Sequence, residues 1–354
     1  MKKLMILQTV APDYRKPLFD YLNNKLADRF ILYAGSFYFE KSVKTTSEID
    51  YLKSVRNYYL FNRKLLFQYG MWSDTINTDV LVLELNPRIL SNWIILLLRR
   101  MLRRETVLWG HVWSREGKNS STERIRHLMR KLGDKIIAYT KTQKMELQNK
   151  MLSKEIFSAP NSLFFSKEMY ANNNGKICDI VFVGRLTRAK KPQILVEAFS
   201  SIIKEIPSET NLIILGDGPE RNRLLDLVKK LKIDDRVSIL GHVGDRETLL
   251  RYYRQSLFSV SPGYVGLSIT QSFGFGVPML ISKDENHSPE IEAAEIGVNS
   301  EFFISDNKAS LADKILGFYK NKEFWIDQRK IISEKCKKTY SIEVMAKVFI
   351  DLVK

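Results

Sequence analysis

The chain has 354 residues, 44% hydrophobic and 27% charged, a balance that excludes a mainly disordered chain and a length that suits two domains of roughly 150 to 180 residues each. Two cysteines, Cys178 and Cys336, are too few for a disulfide framework or a four-ligand zinc site, which points to a reducing cytoplasm. The net charge of +16 is lopsided: residues 1–170 carry 29 Lys+Arg against 16 Asp+Glu and residues 171–354 carry 27 against 24, so the first half favours an anionic partner, nucleic acid or acidic lipid.

The opening MKKLMILQTVAPDYRKP has an apolar stretch too short for a signal peptide and interrupted by Gln8 and Thr9; it reads as a buried first strand. Apolar β-rich runs follow at residues 29–35, 79–85, 106–112 and 135–140. Between them, SNWIILLLRRMLRR falls far short of the roughly 20 residues a membrane span needs. It reads as an amphipathic helix whose Arg99, Arg100, Arg103 and Arg104 suit either an anionic lipid interface or the negative end of the helix dipole. Residues 158–179, with Asn172-Asn173-Asn174-Gly175, read as a linker.

The second half repeats the alternation, with strands expected at residues 179–184, 211–216, 236–240, 257–261 and 278–282 and helical periodicity at 192–206 and 219–233. Two such rounds predict an α/β fold of two Rossmann-like, doubly wound domains with parallel sheets. The expected bounds are 1–165 and 176–335, with 336–354 a C-terminal helix returning to the first domain. Ligands of such sheets gather at the carboxyl ends of the strands.

Chemistry concentrates at three junctions. In DIVFVGRLTRAKKP a strand ends at Gly184, and Arg185 and Lys190 stand five residues apart where two cations can converge on one anion, a diphosphate being the natural fit. In NLIILGDGPE, Gly216 and Gly218 permit close backbone approach, while Asp217 suits either a ligand contact or a helix N-cap. The third, SPGYVGLSITQSFGFGVPMLI, is a strand-turn-helix-strand without an acidic residue, unusual for a loop that holds a sugar.

In order and spacing, FVGRLTRAKKP, LIILGDGPE, LGHVGDRETLLRYYRQSLFSVSP, QSFGFGVPMLI and HSPEIEAAEIGVNSEFF resemble the C-terminal half of the retaining GT-B glycosyltransferases of the group 1 type. VAPDYRKPLFDYL and VLWGHV resemble the N-terminal half more loosely. The resemblance implies two domains facing a cleft and transfer of a sugar from a UDP- or GDP-linked donor, with no cofactor. The implied acceptor is a saccharide, free or lipid-linked, of a bacterial surface polysaccharide such as O-antigen, capsule or exopolysaccharide. The basic first lobe would then touch the anionic inner face of the cytoplasmic membrane.

By position, Arg185 and Lys190 match the pair that binds the diphosphate, and Gly184, Gly216, Asp217, Gly218, His242 and Val243 match the nucleotide pocket. His111 matches a histidine that faces the donor sugar. Tyr264, Val265, Gly266, Leu267 and Gln271 fall in the loop and helix that hold the sugar-diphosphate, where Gly263 and Gln271 replace two glutamates of the family. Backbone amides of residues 265–267 would then take over the contacts. No Asp-x-Asp tripeptide occurs, so a metal-independent reaction is expected. A sugar-nucleotide epimerase of the same fold and a basic nucleic-acid-binding protein are the alternatives; no nucleic-acid-binding motif is recognisable.

Overall fold

Leu4, Met5 and Ile6 have no exposed surface, because the strand they belong to has a parallel neighbour on each side and a helical layer over each face. That strand lies at the centre of the first of two compact units. In the computed structural model, which describes residues 2–41, 43–114 and 116–354, the units are Met1–Leu163 with Ile342–Lys354, and Phe164–Ser341.

The first unit runs β1 (Leu4–Gln8), α1 (Lys16–Leu26), β2 (Phe30–Ala34), β3 (Lys53–Ser54), β4 (Arg56–Leu60), β5 (Leu65–Tyr69), α2 (Trp72–Asn77), β6 (Val80–Glu84) and α3 (Leu90–Met101). It continues with β7 (Glu105–Gly110), α4 (Glu123–Leu132), β8 (Lys135–Ala138), α5 (Lys141–Lys150) and β9 (Glu155–Ser158). Seven strands form a parallel sheet in the order β3-β2-β1-β6-β7-β8-β9, while β4 and β5 pair antiparallel as a separate hairpin. One face packs Leu18, Phe19 and Leu22 of α1; the other packs Ile95 and Leu96 of α3, Met129 of α4 and Leu147 of α5.

The second unit runs β10 (Asp179–Val183), α6 (Pro192–Ser201), β11 (Leu212–Leu215), α7 (Arg221–Leu231), β12 (Val237–Ile239), α8 (Arg246–Gln255), β13 (Ser256–Ser261), α9 (Ser268–Gly274), β14 (Met279–Ser282), β15 (Ser300–Phe303), α10 (Lys308–Lys320) and α11 (Lys322–Tyr340). Its parallel sheet has the order β12-β11-β10-β13-β14-β15. Strand order therefore reverses between β10 and β13, which opens a crevice at their carboxyl ends. After α11 the chain rejoins the first unit as α12 (Ile342–Asp351), whose Met345, Ala346 and Phe349 close over α1. Burying side chains such as Met345 and Phe349 stabilises the unit by about 1.5–3 kcal/mol each.

The ten expected strand segments all coincide with strands of the two main sheets. The structure adds β3, the β4–β5 hairpin, and β9 and β15 at sheet edges. The sharpest correction concerns Arg99. Instead of facing lipid it has no exposed surface, and its guanidinium donates to Thr106 Oγ1 at 2.9 Å and to the carbonyls of Thr75, Thr78, Asp79 and Glu105. Burial pushes its pKa down to about 10. The side chain ties α3 to the end of α2 and to the edges of β6 and β7.

Candidate functional site

The reversal between β10 and β13 brings together the loops that follow them. Tyr264 N–H donates to the Ala189 carbonyl at 2.9 Å, and Lys190 Nζ donates to the Tyr264 carbonyl at 2.7 Å while lying 4.5 Å from the centre of the Tyr264 ring. This approach is possible because residue 263 is glycine: a Cβ there would sit 2.3 Å from the Ala189 carbonyl oxygen and 2.9 Å from the Lys190 carbonyl carbon. The position where the resembling family carries a glutamate thus has no room for a side chain here.

A second close approach joins the loops after β10 and β11. A Cβ on Gly216 would lie 1.9 Å from the Gly184 carbonyl oxygen. Leu186 N–H donates to Asp217 O at 2.8 Å, Glu220 N–H donates to Leu186 O at 3.0 Å, and Gly216 bridges to Gly241 after β12. Gly184, Gly216, Asp217, Gly218, His242 and Val243 are thereby assembled along one edge of the sheet. The Asp217 carboxylate receives the Gly218 N–H at 2.7 Å, and Glu220 holds the N-cap position of α7, so the capping alternative for Asp217 falls.

The cations of this edge differ in environment. Lys191 is neutralised by Glu285 at 2.6 Å and Asp306 at 2.8 Å. Burial pushes Lys190 down to about 8, the neighbouring Arg185 charge acts in the same direction and Glu290 opposes them. An ammonium desolvated beside another cation is arranged for an anion that brings its own charge. Arg185, one residue beyond Gly184, is exposed.

Glu290, missed in the sequence, is 5% exposed and accepts a hydrogen bond from Ser288 Oγ. It brings a carboxylate within electrostatic reach of Lys190. Its signal was the Ser-Pro-Glu turn in HSPEIEAAEIGVNSEFF, which Ser288 N–H anchors to Val265 O at 3.0 Å.

The loop before α9 uses part of its backbone internally. Val265 N–H donates to His287 Nδ1 at 3.1 Å, and His287 Nε2–H donates to Ser282 O at 2.8 Å. The ring is therefore the Nε2–H tautomer, and burial holds its pKa below the usual imidazole range. Val265, fully buried, is a support of the loop rather than an amide offered to a ligand, which corrects the expectation for residue 265. Gly266 and Leu267 complete the turn into α9. Gln271 is 9% exposed, and its side chain makes no hydrogen bond among the described residues.

His111 belongs to the first unit, at the carboxyl end of β7, with its ring edge-on to Tyr139 at 4.7 Å. Beside Tyr139 stands Arg15, 4.3 Å from the centre of the Trp109 ring and donating to Tyr139 Oη at 3.0 Å and Asn161 Oδ1 at 3.2 Å. Glu84 ends β6 and accepts from the Thr9 backbone N–H and hydroxyl; burial holds its carboxyl above the usual range. Arg15, Glu84 and Tyr139 join His111 in a polar cluster at this sheet edge; Arg15 belongs to the VAPDYRKPLFDYL stretch, while Glu84 and Tyr139 have no sequence motif of their own. Among the described residues, no group of three or more His, Cys, Asp or Glu is placed to hold a metal ion.

Residues 168–339 match the family described as glycosyl transferases group 1. The chain is 28% identical over 157 residues to an N-acetyl-alpha-D-glucosaminyl L-malate synthase of Bacillus anthracis, covering 44% of this chain and 39% of that protein. It is 30% identical over 104 residues to an alpha-monoglucosyldiacylglycerol synthase of Streptococcus pneumoniae, covering 28% and 23%. The chain thus spans less than half the length of these curated relatives. Among solved structures it is similar to Anabaena HepE in complex with UDP, with a TM-score of 0.71, 15% identity and 99% of each chain covered. It is also similar to the lipopolysaccharide outer core galactosyltransferase WaaB, with a TM-score of 0.67, 13% identity, and 100% of this chain and 99% of that one covered.

Proposed function

We propose, from the premise that residues 168–339 belong to the glycosyl transferases group 1 family and that the chain has the GT-B fold, that this protein transfers a sugar from a UDP-linked donor to a saccharide hydroxyl with retention of configuration. The observation that carries the reading is the meeting of Arg185 and desolvated Lys190 at the strand-order reversal, beside glycine-cleared backbone. Charge develops on the departing diphosphate as the glycosidic bond breaks, and fixed cations in a partly dry site stabilise it without reorganising; losing one such donor typically costs on the order of a hundredfold in rate.

Gln271 suits the ribose, since its amide both donates and accepts and its side chain makes no hydrogen bond among the described residues. Asp217, His242 and Val243 flank the base. His111 is assigned to the transfer step rather than to nucleotide affinity. UDP is favoured as the nucleotide by the similarity to HepE, whose structure contains it. A lipid-linked acceptor in surface-polysaccharide synthesis at the inner face of the cytoplasmic membrane is favoured by the basic first unit and by the lipid and lipopolysaccharide products named for the diacylglycerol synthase and WaaB.

A panel of UDP-, GDP- and dTDP-sugars read by thermal shift tests the donor, since a ligand at 100 times its dissociation constant stabilises by roughly 2.7 kcal/mol. Release of UDP that depends on an added lipid-linked saccharide is the expected second result. Turnover of the nucleotide sugar with no acceptor would make the protein an epimerase, and no shift with any nucleotide would overturn the reading.

A further inference from the structure

The turn that follows β14 clamps the loop before α9 at one residue. Val265 has no exposed surface, and both of its backbone polar groups are taken by that turn: its N–H donates to His287 Nδ1 at 3.1 Å, and its carbonyl accepts from Ser288 N–H at 3.0 Å. The second ring nitrogen is engaged as well, Nε2–H donating to the Ser282 carbonyl at 2.8 Å, so the imidazole bridges the end of β14 to the loop that leaves β13. One residue earlier, the Tyr264 carbonyl accepts from Lys190 Nζ at 2.7 Å. A Cβ on Gly266 would lie 3.8 Å from Ser288 Oγ, so the turn abuts the loop as far as the entrance of α9.

A clamp of this kind works in one protonation state. Neutral imidazole has one acceptor nitrogen; imidazolium has none. A proton on Nδ1 would set donor against donor at Val265, whose buried N–H has no water to turn to. The charged groups acting on the ring come from two sides: Glu285 of its own turn favours the imidazolium, and Lys190 after β10 opposes it. The Glu285 carboxylate is itself held by Lys191 at 2.6 Å and Ser282 Oγ at 3.1 Å, and Asp306 after β15 shares Lys191 at 2.8 Å. Helix α9 carries no charged residue. Burial is the largest influence and holds the ring neutral near neutral pH, so the clamp is present there and is lost as pH falls through the lowered value of the folded protein.

We propose that His287 is a positioning residue of the diphosphate loop: its Nε2–H form holds residues 264–267 in the conformation that receives the donor, and a proton on Nδ1 releases them. The use of the clamp in donor binding rests on the proposed transfer reaction, whereas the coupling of His287 to Val265 is read independently of it.

The test pairs NMR of the full chain, labelled at histidine and valine, with UDP calorimetry between about pH 5 and pH 8. His287 is expected to titrate below the usual imidazole value of 6.5, with the Val265 amide signal moving at the same midpoint. UDP takes up a proton of its own in this range, so the binding is read against His287→Asn, whose Oδ1 accepts the Val265 N–H without titrating. Wild-type affinity should fall on the acid side roughly tenfold more than that of His287→Asn, and His287→Leu, with no acceptor, should bind UDP roughly tenfold more weakly than His287→Asn at about pH 7. A histidine that only fills space would give the two variants equal losses. Parallel pH profiles of wild type and His287→Asn overturn the proposal, as does a Val265 amide that ignores the His287 titration. Absence of UDP binding at every pH overturns the donor reading and with it this use of the clamp, while the paired NMR titration still identifies the clamp itself.

Discussion

Lys190 donates a hydrogen bond from its ammonium to the backbone carbonyl of Tyr264 at 2.7 Å, tying the loop that leaves β10 to the loop that leaves β13. The contact spans the place where strand order reverses. It fixes a cation over the crevice and shapes the turn before α9 at the same time.

Replacing Lys190 by Ala should weaken UDP binding by about 1.5–3 kcal/mol, the range for a hydrogen bond to a charged group, or roughly ten- to a hundredfold in dissociation constant. Arg185→Ala should act in the same direction. Calorimetric affinities for UDP and GDP that both match the wild type would remove these residues from the diphosphate site.

The pH dependence follows from the same side chain. Lys190 titrates at about 8 in the folded protein against 10.5 unfolded, so between those values the unfolded chain binds more protons and stability of the unliganded protein rises with pH. UDP favours the ammonium and reverses the trend. Affinity should fall as pH rises through about 8, with uptake of protons on binding near that pH. Calorimetry in buffers of different ionisation enthalpy checks this, and Lys190→Met should lose both effects.

At Gly263, alanine should cost about 1–3 kcal/mol because its Cβ meets backbone at 2.3 Å and the 189–190 turn must shift. Gly266→Ala is the control, its nearest neighbour being Tyr264 Cε1 at an ordinary 3.6 Å. Urea denaturation of the two variants should separate them clearly; equal stability would mean the turn is looser than described.

For His111→Ala the expected result is a large drop in transfer with UDP affinity nearly unchanged. The ring lies in the first unit, and its packing partner Tyr139 stays anchored by Arg15. Wild-type turnover would exclude His111 from the reaction.

Arg99→Leu should destabilise the first unit by about 2–4 kcal/mol, since it strands several buried carbonyls that the guanidinium serves. Arg100→Ala, on the exposed side, should stay within about 0.5 kcal/mol. Thermal melts of both would show whether the two neighbouring arginines differ as their surroundings require.

The parallel sheets were legible because their central strands are buried on both faces and read as unbroken apolar runs, as in LMILQ and DIVFV. Edge strands carry a weaker signal. SEFF of β15 follows a polar loop, and RNYYL of β4 alternates between exposed and half-buried positions in a hairpin turned by Phe61, Asn62 and Arg63, all at positive φ, without a glycine. At the site, Arg185, Lys190 and the glycine junctions were visible in the order of motifs. Glu290 and Arg15 lie inside such motifs, but their places beside Lys190 and Tyr139 were not visible, because those depend on where turns distant in sequence meet. The buried setting of Arg99 was equally hidden: an RR pair at a helix end gives no hint that one member points inward.

The return of α12 to the first unit has a consequence for biogenesis. Phe349 and Met345 cover α1, yet they are made only after the 178 residues of Phe164–Ser341. Throughout that interval the nascent N-terminal lobe keeps an apolar groove open to solvent or chaperones, while the later lobe has every strand it needs. Order of synthesis and order of completion are therefore inverted, and the sheet begun first is sealed last.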